Sequence, residues 1–274
     1  MSLQWYPGHM TKARRDLAEL MPSQHVVVEV VDARMPVASA NPVIAELRGA
    51  TPCVTVLTRA DLADPTVTTA WLRHLESATV RAFASTTKQP GETRARFAAQ
   101  LAQLGLASTT GHPVRALIAG VPNVGKSTLI NTLLDRVIAK VGDKPAVTKV
   151  QQRLAMPDGT IVTDSPGLLW PKIEDEAIAF RLALAGSIPD TAIDYVTIAL
   201  FGLGYLRERY PEVVARRYKL AEIAATADGV LADIGRRRGC LLPGGIIDLH
   251  KAAELVVHEF RSGALGRVSL EAPP

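Results

Sequence analysis

At 274 residues, 47% of them hydrophobic and 21% charged, the chain has the make-up of an ordinary globular protein with room for one large domain or two smaller ones, which excludes a disordered or low-complexity chain. A net charge of +4 permits a nucleic-acid partner without requiring one, and 2 cysteines far apart in sequence, Cys53 and Cys240, exclude a disulfide framework or a cysteine-built zinc cage. The opening MSLQWYPGHMTKARR lacks the apolar core of a signal peptide, and the apolar run 192–206 is too short to span a bilayer and holds Asp194, so a cytoplasmic protein with no membrane partner is expected.

In chain order, an aromatic start gives way to TKARRDLAEL, a basic helix-like stretch with Lys12, Arg14 and Arg15 on it. HVVVEVVDARMP is β-branched up to Asp32 and a Pro-marked turn, which predicts a buried parallel strand. NPVIAELRG predicts a short helix with Asn41 as its cap and Pro42 at its first position. TPCVTVLTRADL is a second buried strand, and Asp64-Pro65 starts the next helix. TVRAFAST is a third strand and GETRARFAAQLAQLG an amphipathic helix. PVRALIAG, GVPNVGKST and STLINTLLDR then read as strand, Gly-rich turn and helix, and VGDKPAVTKVQQ as a Gly/Pro-interrupted loop. RLAMPDGTIVTD predicts a hairpin turning at Asp158-Gly159, and DSPGLLWPKIEDEAIAFRLALAG a loop and helix. This alternation argues an α/β fold with a mostly parallel sheet. From about Ile188-Pro189 the apolar residues keep helical spacing only, including EVVARRYKLAEIAA and GVLADIGRRRG. The expected division is an α/β domain over 1–188 and a small all-α domain over 189–274. The second part holds 11 basic and 11 acidic residues, so the positive excess lies before it.

GVPNVGKST, residues 120–128, is a phosphate loop in the strand–turn–helix context that such a loop needs. Backbone N–H groups of the turn, around Val124, Gly125 and Thr128, point at phosphates, and glycine lets the backbone come close. Lys126 is expected on the β- and γ-phosphates and the Ser127 hydroxyl on Mg²⁺. Asp164 in VTDSPG ends a strand where a carboxylate holds Mg²⁺, and Gly167 follows with an N–H for the γ-phosphate. Thr148 in the intervening loop suits a Mg²⁺ ligand present only while the γ-phosphate is, which makes a switch. Upstream, Asp61 of TRADL can accept from both the N1–H and the N2–H of guanine, and adenine offers neither. Ser85 and Thr86 end another strand, where a backbone N–H suits the guanine O6. GTP and GDP are therefore the expected ligands, with a phosphate-loop ATPase as an alternative.

The guanine-reading pieces precede the phosphate loop, the reverse of the usual GTPase order. With that order, and with WYPGHMTKA, VVDARMP, TRADL, GVPNVGKST, PAVTKVQQ, DSPGLLWPK and GGIIDLHKAAELVVHEFRSGALGR running nearly end to end, the chain resembles the circularly permuted GTPases of the ribosome biogenesis GTPase A family. It departs from the family pattern at Thr58-Arg59-Ala60-Asp61, where Asn-Lys-x-Asp is usual, at Ala146 in place of glycine, and at Ser165 in place of threonine. Asp61, the discriminating group, is kept. Thr58 is expected to lose an amide contact, Arg59 to cover the base with its flat guanidinium, and Ala146 to stiffen the switch.

The resemblance implies a GTP hydrolase that binds the large ribosomal subunit and its rRNA in the GTP state and leaves on hydrolysis. A nucleotide-gated RNA-binding module with little turnover is the non-enzymatic alternative, and DNA is not expected as a partner. Leu168 stands where common GTPases carry the water-orienting glutamine, and leucine cannot orient water. The family's answer is the histidine of its Pro-Gly-His-Met stretch, His9 here, with Pro7 and Gly8 as a turn beside it. Asn123 either steadies the turn or, as the resemblance implies, ligates K⁺. Lys12, Arg14 and Arg15, with Arg236, Arg237 and Arg238 at a helix end, become candidate rRNA contacts; without the resemblance they read as solvated charge.

Overall fold

The computed structural model describes residues 8–109, 111–136, 152–171 and 173–274, with the backbone alone for Gly8 and His9. The elements run α1 (Gly8–Leu20), β1 (Val26–Asp32), α2 (Pro36–Ser39), α3 (Pro42–Arg48), β2 (Cys53–Thr58), α4 (Pro65–Leu75), β3 (Val80–Ala84), α5 (Pro90–Gln103), β4 (Arg115–Ala119), α6 (Lys126–Leu134), β5 (Gln152–Ala155), β6 (Ile161–Asp164) and α7 (Glu176–Leu184). Helices α8 (Tyr195–Arg209), α9 (Pro211–Tyr218), α10 (Ala227–Arg238) and α11 (Leu249–Ser262) follow.

The strands make a 6-stranded sheet in the order β3-β2-β1-β4-β6-β5. Every pairing is parallel except β5 with β6. β1, between β2 and β4, is almost wholly buried, as its Val-rich run, interrupted at Glu29, requires. Asn41 caps α3 by accepting from Val43 N–H at 3.0 Å, and Asp64 caps α4 by accepting from Thr66 N–H at 2.8 Å. The β5–β6 hairpin turns at Asp158-Gly159, with Gly159 at φ 85°. One expected helix is shorter than its pattern. EVVARRYKLAEIAA stays helical only to Tyr218, and Lys219 caps it in the left-handed region at φ 55°. The chain beyond leaves the helix so that Leu220 and Ile223 pack on the core, a tertiary override of local propensity.

Parallel pairing brings the functional candidates to one sheet edge. Asp32 pairs with Thr58, Leu57 with Ala84, and Ile118 with Asp164, so β1, β2, β3 and β6 all end beside the loop that follows β4. Strand order reverses between β1 and β4, the crevice where open α/β sheets take ligands.

The main hydrophobic core continues from the sheet into α8–α11 without a break: Phe260 of α11 and Leu203 of α8 belong to the same cluster as Val28 and Ile118. A buried ion pair crosses the same boundary. Asp32 and Arg34 are each 1% exposed. Arg34 donates from Nε and Nη2 to the two carboxylate oxygens at 3.0 and 2.8 Å, and from Nη1 to Phe260 O at 2.6 Å. Its guanidinium also lies 4.1 Å from the centre of the Phe260 ring. Removing one partner of a buried pair strands the other charge, so Arg34→Met is expected to cost about 3–5 kcal/mol of stability, read from the urea unfolding midpoint. Arg34→Lys should recover little of it, because an ammonium cannot form the planar two-pronged contact.

Candidate nucleotide site

The phosphate loop joins β4 to α6. Gly125, left-handed at φ 103°, caps α6, and Ser127 and Thr128 sit half-buried in its first turn. Asn123 is also left-handed, at φ 57°, and Val124 is buried beneath the turn. A Cβ on Gly120 would stand 2.5 Å from Val30 O, so the loop can leave β4 at this point only through glycine. Gly167, after β6, presses on the loop from the other side: a Cβ there would stand 2.8 Å from Pro122 Cα and 3.1 Å from Lys126 Nζ.

Lys126 is buried inside this cradle and donates from Nζ to Val121 O at 2.7 Å and Gly120 O at 3.1 Å. Burial lowers its pKa to about 8, only partly opposed by the charge of Asp164, which is itself buried. A buried ammonium beneath a loop that admits no Cβ at Gly120 or Gly167 is an arrangement that suits phosphate oxygens. Ser127 and Asp164 carry oxygen atoms of the hard kind that suits Mg²⁺. Ser165 hydrogen-bonds through its hydroxyl to Ile118 O at 2.7 Å and so fixes the turn. Leu168 is 2% exposed; its N–H donates to Gly120 O and its carbonyl accepts from Asn41 Nδ2. It is a core residue beneath the loop and offers no group to a water.

The TRADL loop is tied to the phosphate loop through side chains. The buried Thr58 hydroxyl lies 2.6 Å from Val124 O and 3.0 Å from Val31 O. Where a lost amide contact is expected from the shorter side chain, a strong hydrogen bond to the loop is found. Arg59, left-handed at φ 55°, donates from Nη1 to Asp32 at 2.8 Å and from Nη2 to Asn123 O at 2.7 Å. Its guanidinium, expected over the base, is instead engaged by Asp32 and the phosphate-loop backbone. Burial pushes the Asp32 pKa up, but Arg34 and Arg59 together hold it well below the usual carboxylate range.

Asp61 lines an open cavity of about 530 Å³ with Thr86 and Lys88. Partial burial raises its pKa, and hydrogen bonds from Lys88, at 3.0 Å, and Thr86 outweigh that and keep it ionised. Ser85 N–H is committed to Leu57 O at 2.8 Å, so Thr86 is the strand-end residue left for an O6 contact. The Ser85 carbonyl accepts from Ala60 N–H at 3.2 Å and steadies TRADL. Asn123 donates from Nδ2 to Gly186 O at 2.8 Å, which joins the phosphate loop to the chain after α7.

His9 falls in the first turn of α1, and its side chain lies outside the described residues. Gly8 opens this helix, where a turn is expected from the sequence. Thr148 and Ala146 also lie outside the described residues. On α1, Lys12, Arg14 and Arg15 are exposed, with Arg14 3.3 Å from Glu46 and Arg15 3.9 Å from Glu19. At the end of α10, Arg236 pairs with Asp233, and Arg238 lies 3.5 Å from Glu259 and 5.3 Å from the Tyr218 ring centre. Arg237 is exposed beside them. The site does not bring the α1 and α10 arginines to the phosphate loop.

A phosphate loop at the switch point of a parallel sheet, with its base-reading loops earlier in the chain, defines a circularly permuted phosphate-loop GTPase. The chain belongs to the ribosome biogenesis GTPase A family. It is 40% identical to the Ribosome biogenesis GTPase A of Bacillus cereus over 100% of this chain and 95% of that one. The corresponding figures are 34%, 99% and 95% for Ribosome biogenesis GTPase A of Thermotoga maritima, and 31%, 98% and 90% for Mitochondrial ribosome-associated GTPase 1 of Mus musculus. A family profile described as 50S ribosome-binding GTPase matches residues 115–201, beginning at β4. The crystal structure of GNP-bound YlqF from T. maritima superposes with a TM-score of 0.67 at 31% identity, over 96% of this chain and 98% of that one. A GDP-bound YlqF structure gives 0.67 at 29%, over 94% and 99%.

The buried lysine has a measurable consequence. A phosphate bound against Lys126 would raise its pKa from about 8, so above that pH the complex would hold more protons than the free protein. GDP affinity should therefore be level up to about pH 7 and fall as pH rises through ~8–9.5, with proton uptake approaching one per GDP near pH 9. Calorimetry in buffers of different ionisation enthalpy reads this directly; an uptake of zero at that pH would place the ammonium elsewhere.

Proposed function

We propose that this GTPase is a cytoplasmic assembly factor for the large ribosomal subunit, bound to the particle with GTP and released on hydrolysis. The observation that carries this reading is the direct path from phosphate to helices. Gly167 comes so near Lys126 that a Cβ on it would stand 3.1 Å from Nζ, and Asn123 of the same loop is bonded to Gly186, where the chain enters the helical segment. A γ-phosphate that draws on Gly167 N–H would shift the strand-end loop leading into α7. Residues 189–274 are then the unit that reads rRNA, and α10 supports it: Arg236 and Arg237 are exposed at its end, and Leu241, Leu242 and Ile246 are exposed just after. Basic side chains beside an apolar surface suit a folded RNA with its protein neighbours. Lys12, Arg14 and Arg15 extend the basic surface on α1.

In this reading Asp61 holds guanine through N1–H and N2–H, and Lys126 neutralises the β- and γ-phosphates. Ser127 and Asp164 would hold Mg²⁺, joined by Thr148 in the GTP state, and the ion would supply charge neutralisation for the phosphates. A K⁺ ion would take the Asn123 amide oxygen, whose orientation is set by the bond from Nδ2 to Gly186. With Leu168 locked in the core, His9 orients the attacking water once α1 is docked on the particle. Sedimentation with immature and mature large subunits, in GDP and in a non-hydrolysable GTP analogue, tests the proposal; equal binding in both nucleotides would refute it.

Two substitutions separate base reading from turnover. Asp61→Asn should move preference from GTP toward xanthosine triphosphate, since the amide presents a donor where xanthine has an acceptor. A hydrogen-bonding site discriminates by roughly four to five orders of magnitude against a missing partner, and competition binding measures the change. His9→Ala should lower the ribosome-stimulated kcat by about two or more orders of magnitude, the usual effect of a positioned proton acceptor, and leave GTP affinity nearly unchanged. A wild-type stimulated kcat in that variant assigns water orientation to another group.

A further inference from the structure

The loop that carries Asp61 is held on one side by β3 and on the other by a segment more than 200 positions later in the chain. After α11 the chain turns at Gly263 and runs alongside residues 60–64. Arg267 donates from Nε to Ala63 O at 3.0 Å and from Nη2 to Ala60 O at 3.4 Å, so one planar guanidinium spans the two carbonyls that bracket Asp61. Val268 N–H donates to Leu62 O at 3.1 Å, and Asp64 N–H donates to the Ser269 hydroxyl at 3.2 Å. Gly263 is left-handed at φ 80°, and a Cβ there would stand 2.4 Å from Leu62 Cδ2. Arg267 also lines the cavity that Asp61, Thr86 and Lys88 line.

We propose that Arg267 is a positioning residue of the base site: the segment after α11 fixes the Asp61 loop, and Arg267 sets the angle at which Asp61 meets guanine. This rests on the reading of Asp61 as the guanine acceptor. A carboxylate that accepts from two parallel N–H groups must have its plane fixed, because a small rotation loses one bond while keeping the other. Asp61 is only partly buried and is held at its tip by an exposed lysine. Its backbone is therefore what fixes that plane, and Ala60 and Ala63, on either side, are the points where Arg267 grips it. The guanidinium also places a positive charge on the wall of the cavity, beside an ionised carboxylate that must stay ionised to accept. The phosphate seat does not touch Arg267, so the residue acts on base selection rather than on triphosphate binding as such.

The test compares GDP with IDP, which lacks the N2 amino group and so makes one of the two bonds. Affinities of both are measured for the full chain, wild type and Arg267→Ala, with Arg267→Lys as the conservative variant. Arg267→Ala should lower the preference for GDP over IDP roughly tenfold, about the worth of one charge-assisted hydrogen bond, and leave IDP affinity within about threefold of wild type. Arg267→Lys, able to reach one carbonyl but not both, should recover part of the preference. An equal loss for both nucleotides, or an unchanged ratio, overturns the proposal, since a purely structural role weakens both alike. Should the alanine variant fold poorly, Arg267→Gln carries the same comparison. Asp61→Asn is measured alongside: failure to turn toward xanthine refutes the reading of Asp61, whereas a turn toward xanthine with an unmoved GDP/IDP ratio in Arg267→Ala refutes the inference alone.

Discussion

Everything around the nucleotide site is referred to one buried carboxylate. Asp32, at the end of β1, lies between Arg34 and Arg59. An ion buried this deeply is costly to desolvate, and the arrangement stands only because each partner is satisfied again elsewhere: Arg34 on Phe260 of α11, Arg59 on Asn123 of the phosphate loop. Four parts of the chain therefore share one electrostatic reference point: β1, the base loop, the phosphate loop and α11. A shift in any of them must be taken up by the others or leave a buried charge unmatched.

The glycines of the site follow from the same closeness. Gly120 passes under Val30 O and Gly167 presses on Pro122. Lys126 can be buried because its ammonium has two loop carbonyls and the nearby charge of Asp164. The loop is thus already formed around a cation.

What could be read from the sequence was what local chemistry dictates. Asn41 and Asp64 announce their helices through a cap next to proline, Asp158-Gly159 announces its hairpin, and the strand–glycine–helix pattern places Lys126. The sequence pattern put Asp61, Ser85 with Thr86, and Asp164 each at the end of a strand; that these ends meet at one sheet edge comes from the register. What stayed hidden was long-range. Nothing near Arg59 says that its guanidinium will bond Asp32 in place of facing the base, because its partners lie 27 and 64 residues away. The early end of α9 at Lys219 is set by packing of Ile223, not by a local breaker. Arg267 reads as one more surface arginine until the fold lays it against Ala60 and Ala63. In VVDARMP the pattern was legible and its work was not, since the second partner of Arg34, beyond Asp32, is the backbone carbonyl of Phe260, which leaves no mark on sequence.

The hold of residues 267–271 on the front of the sheet bears on how the protein is made. Glu271 accepts from the backbone N–H groups of Val37 and Ala38, and its carbonyl from Trp71, while Arg267, Val268 and Ser269 close around residues 60–64. A polypeptide emerges from the translating ribosome in order, so β1, β2 and β3 are exposed long before these late residues arrive. The Asp61 side of the cavity is the first to be synthesised and the last to be finished. If Asp61 reads the base and Arg267 sets its angle, as proposed, a nascent chain with its phosphate loop already out would bind nucleotide with less selectivity for its base until the end of α11 clears the exit tunnel and folds back.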